Sequence, residues 1–174
     1  MLPLALDGTA AAELADPGPK AVRVVLGIDP GITGGIAFLF PAWGRVLAED
    51  VPVAGGEVDI DTLAAWLRQM APTVAVIERV HSMPKQGVSS TFRFGMAYGA
   101  LRAVVAAMQI PTHLVTPQAW KKHFRLGADK EEARELALRL WPGDRSDGAF
   151  KRKKDHGRAE AALIARYGAE KGMA

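Results

Sequence analysis

With 174 residues, 49% of them hydrophobic, the chain is long enough for one domain with a real core, and no apolar run reaches the ~18 residues of a membrane-spanning helix. It contains no cysteine, which excludes disulfides, thiolate-bound zinc and thiol catalysis and fits a reducing, cytoplasmic setting. The net charge of +3 conceals an asymmetry: residues 1–78 carry 4 basic and 10 acidic side chains, whereas residues 79–174 carry 18 and 9. Between Arg79 and Ala128 seven basic residues meet no acid at all. An ordinary solvated surface mixes both signs, so a one-signed stretch of this length points to a polyanionic partner.

Residues 1–20 lack a basic n-region and are broken by Pro3, Pro17 and Pro19, so they read as a loosely ordered tail, neither signal nor transit peptide. Residues 21–174 follow as a single domain. From Val22 to Phe40, two apolar, β-branched runs flank a Gly-rich turn, which predicts a strand hairpin. Asp29 closes the first run. It either shapes the Asp-Pro-Gly turn or, as a carboxylate after a buried strand, holds a ligand or metal. Arg45 to Val53 is a third strand and Ala54–Gly56 a loop. Asp59 or Asp61 caps a short helix with Leu63, Trp66, Leu67 and Met70 on one face, and Pro72 ends it. Thr73 to Ile77 is another buried strand, and it finishes on Glu78. Two apolar strands thus end on carboxylates, which lie side by side if the strands are parallel neighbours. The carboxyl ends of strands are where open α/β sheets bind ligands.

His81 to Gln86 is a polar loop. Ser89 to Met108 is a long helix in which Phe92, Gly95, Met96, Gly99, Val104 and Ala107 mark close-packing positions. Gly95 and Gly99 leave room for another helix, from the same core or from a second copy of the chain. Pro111 to Val115 is a short strand, and Thr116-Pro117 opens a helix carrying Trp120, Lys121, Lys122 and Phe124. Asp129 to Leu140 is amphipathic, with Asp129 and Glu132 spaced as a capping box and Pro142 as its stop. Gly143 to Phe150 is a polar loop, and the basic run Lys151-Arg152-Lys153-Lys154 follows. A last helix runs from Asp155 to Tyr167, with Gly168 as its stop signal. The order of elements predicts an α/β fold: a mixed central sheet that starts with an antiparallel hairpin.

The acids at strand ends and on the last helix are Asp29, Glu78, Asp155 and Glu160. Oxygen donors of this kind suit magnesium, and two ions roughly 3.5–4 Å apart activate water and stabilise both oxygens of a phosphoryl displacement. Basic residues beside such a cluster hold a polyphosphate backbone. Metal-assisted phosphodiester hydrolysis is the chemistry these residue types favour.

Three segments, Val25 to Gly31, Val76 to Val80 and Asp155 to Ile164, resemble, in order and spacing, the RuvC family of Holliday-junction resolvases, and more closely its phage and organellar relatives. The similarity covers about Val22 to Tyr167. It implies an RNase H-like fold with helices on both faces of the sheet. It also implies a metal-dependent endonuclease of DNA recombination and repair that cuts four-way junctions as a homodimer, with Mg2+ as cofactor and Mn2+ as a substitute. The family's first two strand-end acids fall on Asp29 and Glu78, and its final acid on Glu160. The pattern departs at the fourth ligand: three residues before Glu160 stands Gly157, with His156 and Asp155 as the neighbouring alternatives. The family's residue that stacks on the unpaired junction falls near His81. Lys85, Arg93, Lys121, Lys122 and Lys151 to Lys154 (Lys151, Arg152, Lys153, Lys154) are the candidate phosphate contacts.

Two rival classes share parts of this pattern. Actin-like and sugar-kinase ATPases begin with a similar strand, Asp and Gly-rich turn, but need two lobes. A non-catalytic, structure-specific DNA-binding module has no need of Asp29, Glu78 and Glu160 together.

Overall fold

The computed structural model describes residues 23–80 and 87–173. The tail of residues 1–20, and with it any order there, lies outside the described residues, as do His81 and Lys85.

Strands β1 (Val25–Asp29) and β2 (Gly35–Phe40) pair antiparallel, as the two apolar runs predict, and β3 (Arg45–Asp50) continues the meander. A two-stranded ribbon, β4 (Val53–Ala54) and β5 (Glu57–Val58), comes next. It replaces the expected loop, because Gly55 and Gly56 take φ of +61° and +83°, the left-handed backbone that a two-residue hairpin turn needs. Helix α1 (Ile60–Met70) is capped by Asp59, whose side chain accepts from the Thr62 N–H at 3.0 Å. Then come β6 (Val74–Glu78), α2 (Val88–Ala107), β7 (Thr112–Val115), α3 (Pro117–His123) and α4 (Lys130–Leu140). A single helical turn at Gly143–Ser146 precedes α5 (His156–Glu170). The sheet order is β3-β2-β1-β6-β7, with β1, β6 and β7 parallel. No described helix is long and apolar enough to cross a membrane.

Side chains alternate across β1 and β6 as the strand period requires. Leu26, Ile28, Ala75 and Ile77 face α1 and α2, while Val25, Val74 and Val76 face α5. Each large apolar side chain buried in these layers contributes roughly 1.5–3 kcal/mol. Gly27 shares the α5 face. A Cβ there would stand 2.1 Å from the Ala161 carbonyl oxygen, so the glycine is what allows α5 to lie directly on β1. By the same alternation Asp29 and Glu78 emerge on the α5 side.

Four local expectations give way to tertiary packing. Helix α5 runs through Gly168 to Glu170; this glycine makes room for Val76, whose Cγ2 would lie 2.3 Å from an added Cβ. Gly143 to Phe150 is more than a polar loop, since Ala149 and Phe150 are buried in the α5-side core. Asp129 caps α4 through the Glu131 N–H, but Glu132 accepts from the Gly127 N–H, so the reciprocal box does not close. On α2, Phe92, Gly95, Met96, Gly99 and Ala107 are exposed, and the helix packs through Ala97, Leu101, Val104 and Val105 instead. That helix is apolar on nearly every side, so its sequence period does not single out the buried face.

Candidate active site

The site forms where β1 and β6 end. Their parallel register pairs Ile28 with Ile77, and the next residues are Asp29 and Glu78. Helix α5 begins over the same edge because Gly157 fits against the β1–β2 turn, and one turn further on it delivers Glu160. Asp29, Glu78 and Glu160 line one cleft of about 1080 Å³ together with His156, Lys121, Lys130, Lys154 and, from the start of α2, Arg93 and Phe94. Three carboxylates therefore share a concave wall with four cations.

Each acid is constrained. Burial, and then the Glu160 and Glu78 charges, hold the Asp29 carboxyl well above the usual carboxylate range; Lys130 and Lys121 oppose this. Burial also raises Glu78, against a hydrogen bond that the Trp120 indole Nε1–H donates to its Oε2 at 2.6 Å. Glu160 is 7% exposed and its Oε1 pairs with the Lys121 Nζ at 3.1 Å. A short helix thus holds two acids with consecutive residues. Helix α3 is placed to do so because Thr116 caps it at the end of β7, the strand beside β6.

The donor set fits a hard divalent cation: three oxygen acids face one cleft, and the nearby His156 Nδ1 is buried without a partner. The acids do not yet converge. Among the described residues no group of three acids or histidines stands close enough to bind a metal as placed, and Lys121 occupies Glu160. An incoming cation would have to displace Lys121 from Glu160.

The remaining sequence candidates divide. Arg93, Lys121 and Lys154 line the cleft. Lys122 and Lys153 are exposed and outside it, and Lys151 lines a separate hollow with Arg152 beyond β3. Asp155 also lies outside the cleft, which does not fit the expectation that it is a metal ligand. It is 1% exposed, its Oδ2 accepts from the Arg152 backbone N–H at 2.7 Å, and its Oδ1 accepts from the Arg152 Nε at 2.8 Å. Both oxygens of this carboxylate already accept hydrogen bonds from Arg152. Asp155 does not cap α5 with its side chain. Trp120 and Lys130 are site residues that sequence reasoning missed. The signal for Trp120 was available: a buried indole needs an acceptor for its N–H, and Glu78 is the acid at the end of the strand next door.

This sheet, with its antiparallel start and helices on both faces, is an RNase H-like fold. No protein-family model and no curated protein sequence matches the chain. Solved structures do match. RuvC of Thermus thermophilus in complex with a Holliday junction substrate aligns at 19% identity and a TM-score of 0.61, over 86% of this chain and 96% of that one. Another structure of T. thermophilus RuvC gives 20% identity and a TM-score of 0.58, over 86% and 97%. The yeast mitochondrial Holliday junction resolvase Ydc2 gives 21% identity and a TM-score of 0.50, over 87% and 81%. The chain shares their fold along nearly its whole described length.

Proposed function

We propose that this protein is a structure-specific endonuclease that resolves four-way DNA junctions by magnesium-dependent phosphodiester hydrolysis, as a homodimer with one site per chain. The observation that carries the reading is the placement of Asp29, Glu78 and Glu160 in one cleft, with Arg93, Lys121, Lys130 and Lys154 around them. The fold is that of RuvC in complex with a Holliday junction substrate and of the yeast mitochondrial Holliday junction resolvase Ydc2.

Asp29, Glu78 and Glu160 would hold the metal, two ions by the family's pattern, with manganese as a substitute. Bound there, the metal supplies a Lewis acid for the phosphate and a water of lowered pKa. The protein's own groups do the rest. Arg93 and Lys154 grip phosphates at the mouth of the cleft, and Lys121, released from Glu160, is free to pair with the scissile phosphate. His156 orients the attacking water or a phosphate oxygen. The water oxygen bonds to phosphorus and gives up a proton to solvent, the bond to one bridging oxygen breaks, and that oxygen leaves with a proton taken from solvent. A junction is two-fold symmetric, so paired cuts call for two sites. The exposed apolar face of α2, with Phe92, Met96 and the outward Gly95 and Gly99, supports such a pairing.

The decisive experiment incubates the purified protein with a synthetic four-way junction and a linear duplex, with and without magnesium. Paired nicks in the junction alone, and only with magnesium, are expected. Junction binding with no cleavage at any metal concentration would leave a non-catalytic binding module. Light scattering that found a monomer both free and on the junction would remove the dimer.

A further inference from the structure

We infer that Trp120 is a positioning residue for Glu78: its indole N–H fixes one carboxylate oxygen, so that the other is the one offered to a divalent cation. The inference rests on the metal-dependent reading above and adds to it a residue that touches neither substrate nor metal.

Trp120 is fully buried, and it is the donor in a 2.6 Å hydrogen bond to Glu78 Oε2. Its own position is over-determined. It lies in the core layer with Val76, Val115 and α5, on a helix whose first turn is fixed by the Thr116 cap and by Pro117. Pairing of Glu78 with Val115 sets that helix's cap, Thr116, one residue beyond the acid's own strand neighbour. An indole on such a support is a rigid donor with no acceptor capacity.

Glu78 by contrast is half-buried, on the last residue of a strand, with a flexible side chain. Without a donor, its carboxylate would sample several rotamers. Lys121 is beside it, and a swing toward that ammonium would take the acid out of the coordination position. With Oε2 held, Oε1 is the oxygen left to bind, and one oxygen per acid suits the strict octahedral shell of magnesium. Partners that orient metal ligands in this way typically change metal affinity by about 10–100-fold when removed.

The alternative is that Trp120 is only a core residue whose N–H happens to be satisfied. Binding of Mn2+ to the metal-free protein, followed by the electron paramagnetic resonance of the free ion, separates the two. Trp120→Phe removes the donor and keeps an aromatic in the core. It should weaken Mn2+ binding at least about tenfold, while junction affinity in the absence of metal stays unchanged. Trp141→Phe, a buried tryptophan of the same core layer and outside the cleft, should leave Mn2+ affinity unchanged. If Trp120→Phe unfolds, 3-benzothienylalanine at position 120 keeps the bicyclic shape and replaces only the N–H by sulfur; it should show the same loss. Wild-type affinity in either position-120 variant, or an equal loss in Trp141→Phe, overturns the positioning role alone. Failure of the wild-type protein to bind Mn2+ overturns the metal reading, and this inference with it.

Discussion

Gly157 abuts Gly34: a Cβ on Gly157 would stand 2.6 Å from the Gly34 carbonyl carbon and 2.8 Å from its oxygen. This contact brings the start of α5 down onto the β1–β2 turn, and so brings Glu160 to Asp29. It also explains why the position three residues before Glu160, where the resembled family carries a ligand, holds none here. No side chain fits between the helix and the turn.

Gly157→Ala should therefore be costly although the residue is helical, where alanine is ordinarily the better helix former. Overpacking against backbone, which cannot rotate away, costs about 1–3 kcal/mol. The expected outcome is a lower thermal midpoint together with slowed cleavage, because α5 is pushed off the turn. Gly157→Asp should not restore a four-acid site; it should do worse on both measures. A Gly157→Asp protein with wild-type stability and faster cleavage would show that the helix can shift to admit the acid.

The buried Asp29 makes its own contribution to the pH dependence of stability. Its carboxyl is held above the usual range by burial and by Glu160 and Glu78, so the metal-free folded protein keeps that proton to higher pH than the unfolded chain. Its contribution to stability is complete below the ordinary carboxylate pKa of about 4 and is lost as pH climbs through the raised folded value. Measured in a chelator, the unfolding temperature of the wild type relative to Asp29→Asn should fall as pH rises from there toward neutrality. Asp29→Asn should be more stable than wild type at neutral pH without metal, and lose its advantage on acidification. Added magnesium should raise the wild-type midpoint more than the variant's. The same variant should bind junctions at least as tightly and not cut them.

Much of this site is legible in the sequence because charge at the end of an apolar strand is conspicuous. Asp29 and Glu78 each close such a run; that β1 and β6 are parallel neighbours is the step the structure supplies. The reading fails where a residue's role is set by what lies across from it. Gly168 reads as a helix stop until Val76 is seen pressing on it. Asp155 reads as a ligand because it is an acid at the right end of the right helix. Only the structure shows that Arg152, three residues back, pairs with it and that it is not among the residues lining the cleft. Helix α2 has no polar stripe to give its orientation, so residues assigned to the core face outward.

The basic run also divides once the fold is known, and salt dependence can read the division. Each phosphate neutralised on duplex DNA contributes about 0.9 to the slope of log affinity against log salt. Lys154 lines the cleft with the acids, whereas Lys151 sits against Gly143 and Gly148, away from it. Lys154→Ala and Arg93→Ala should each flatten the slope by about one. Lys151→Ala should leave it unchanged. An equal effect of all three would mean that DNA wraps well beyond the cleft.

The last contrast is between neighbours at the start of α5. Asp155 is buried and held by Arg152, and beside it Arg158 spans to Asp50 through hydrogen bonds of 2.7 and 2.9 Å. This network ties the end of β3 to the first turn of α5. Removing one partner of a buried ion pair leaves the other uncompensated, at a cost of about 3–5 kcal/mol when both are buried. Arg152 is about half exposed, so the loss in Asp155→Asn should be smaller. It should appear as a lower unfolding temperature, with cleavage falling in proportion to misplacement of the helix. His156 instead faces the cleft with a buried, unpartnered Nδ1, so His156→Ala should leave the unfolding temperature near wild type and reduce the single-turnover cleavage rate. Glu160→Gln should be inactive while remaining folded. Measuring both quantities on all three variants separates the roles. If Asp155→Asn kept wild-type stability and lost all cleavage, its carboxylate would have to leave Arg152 for the cleft during the reaction.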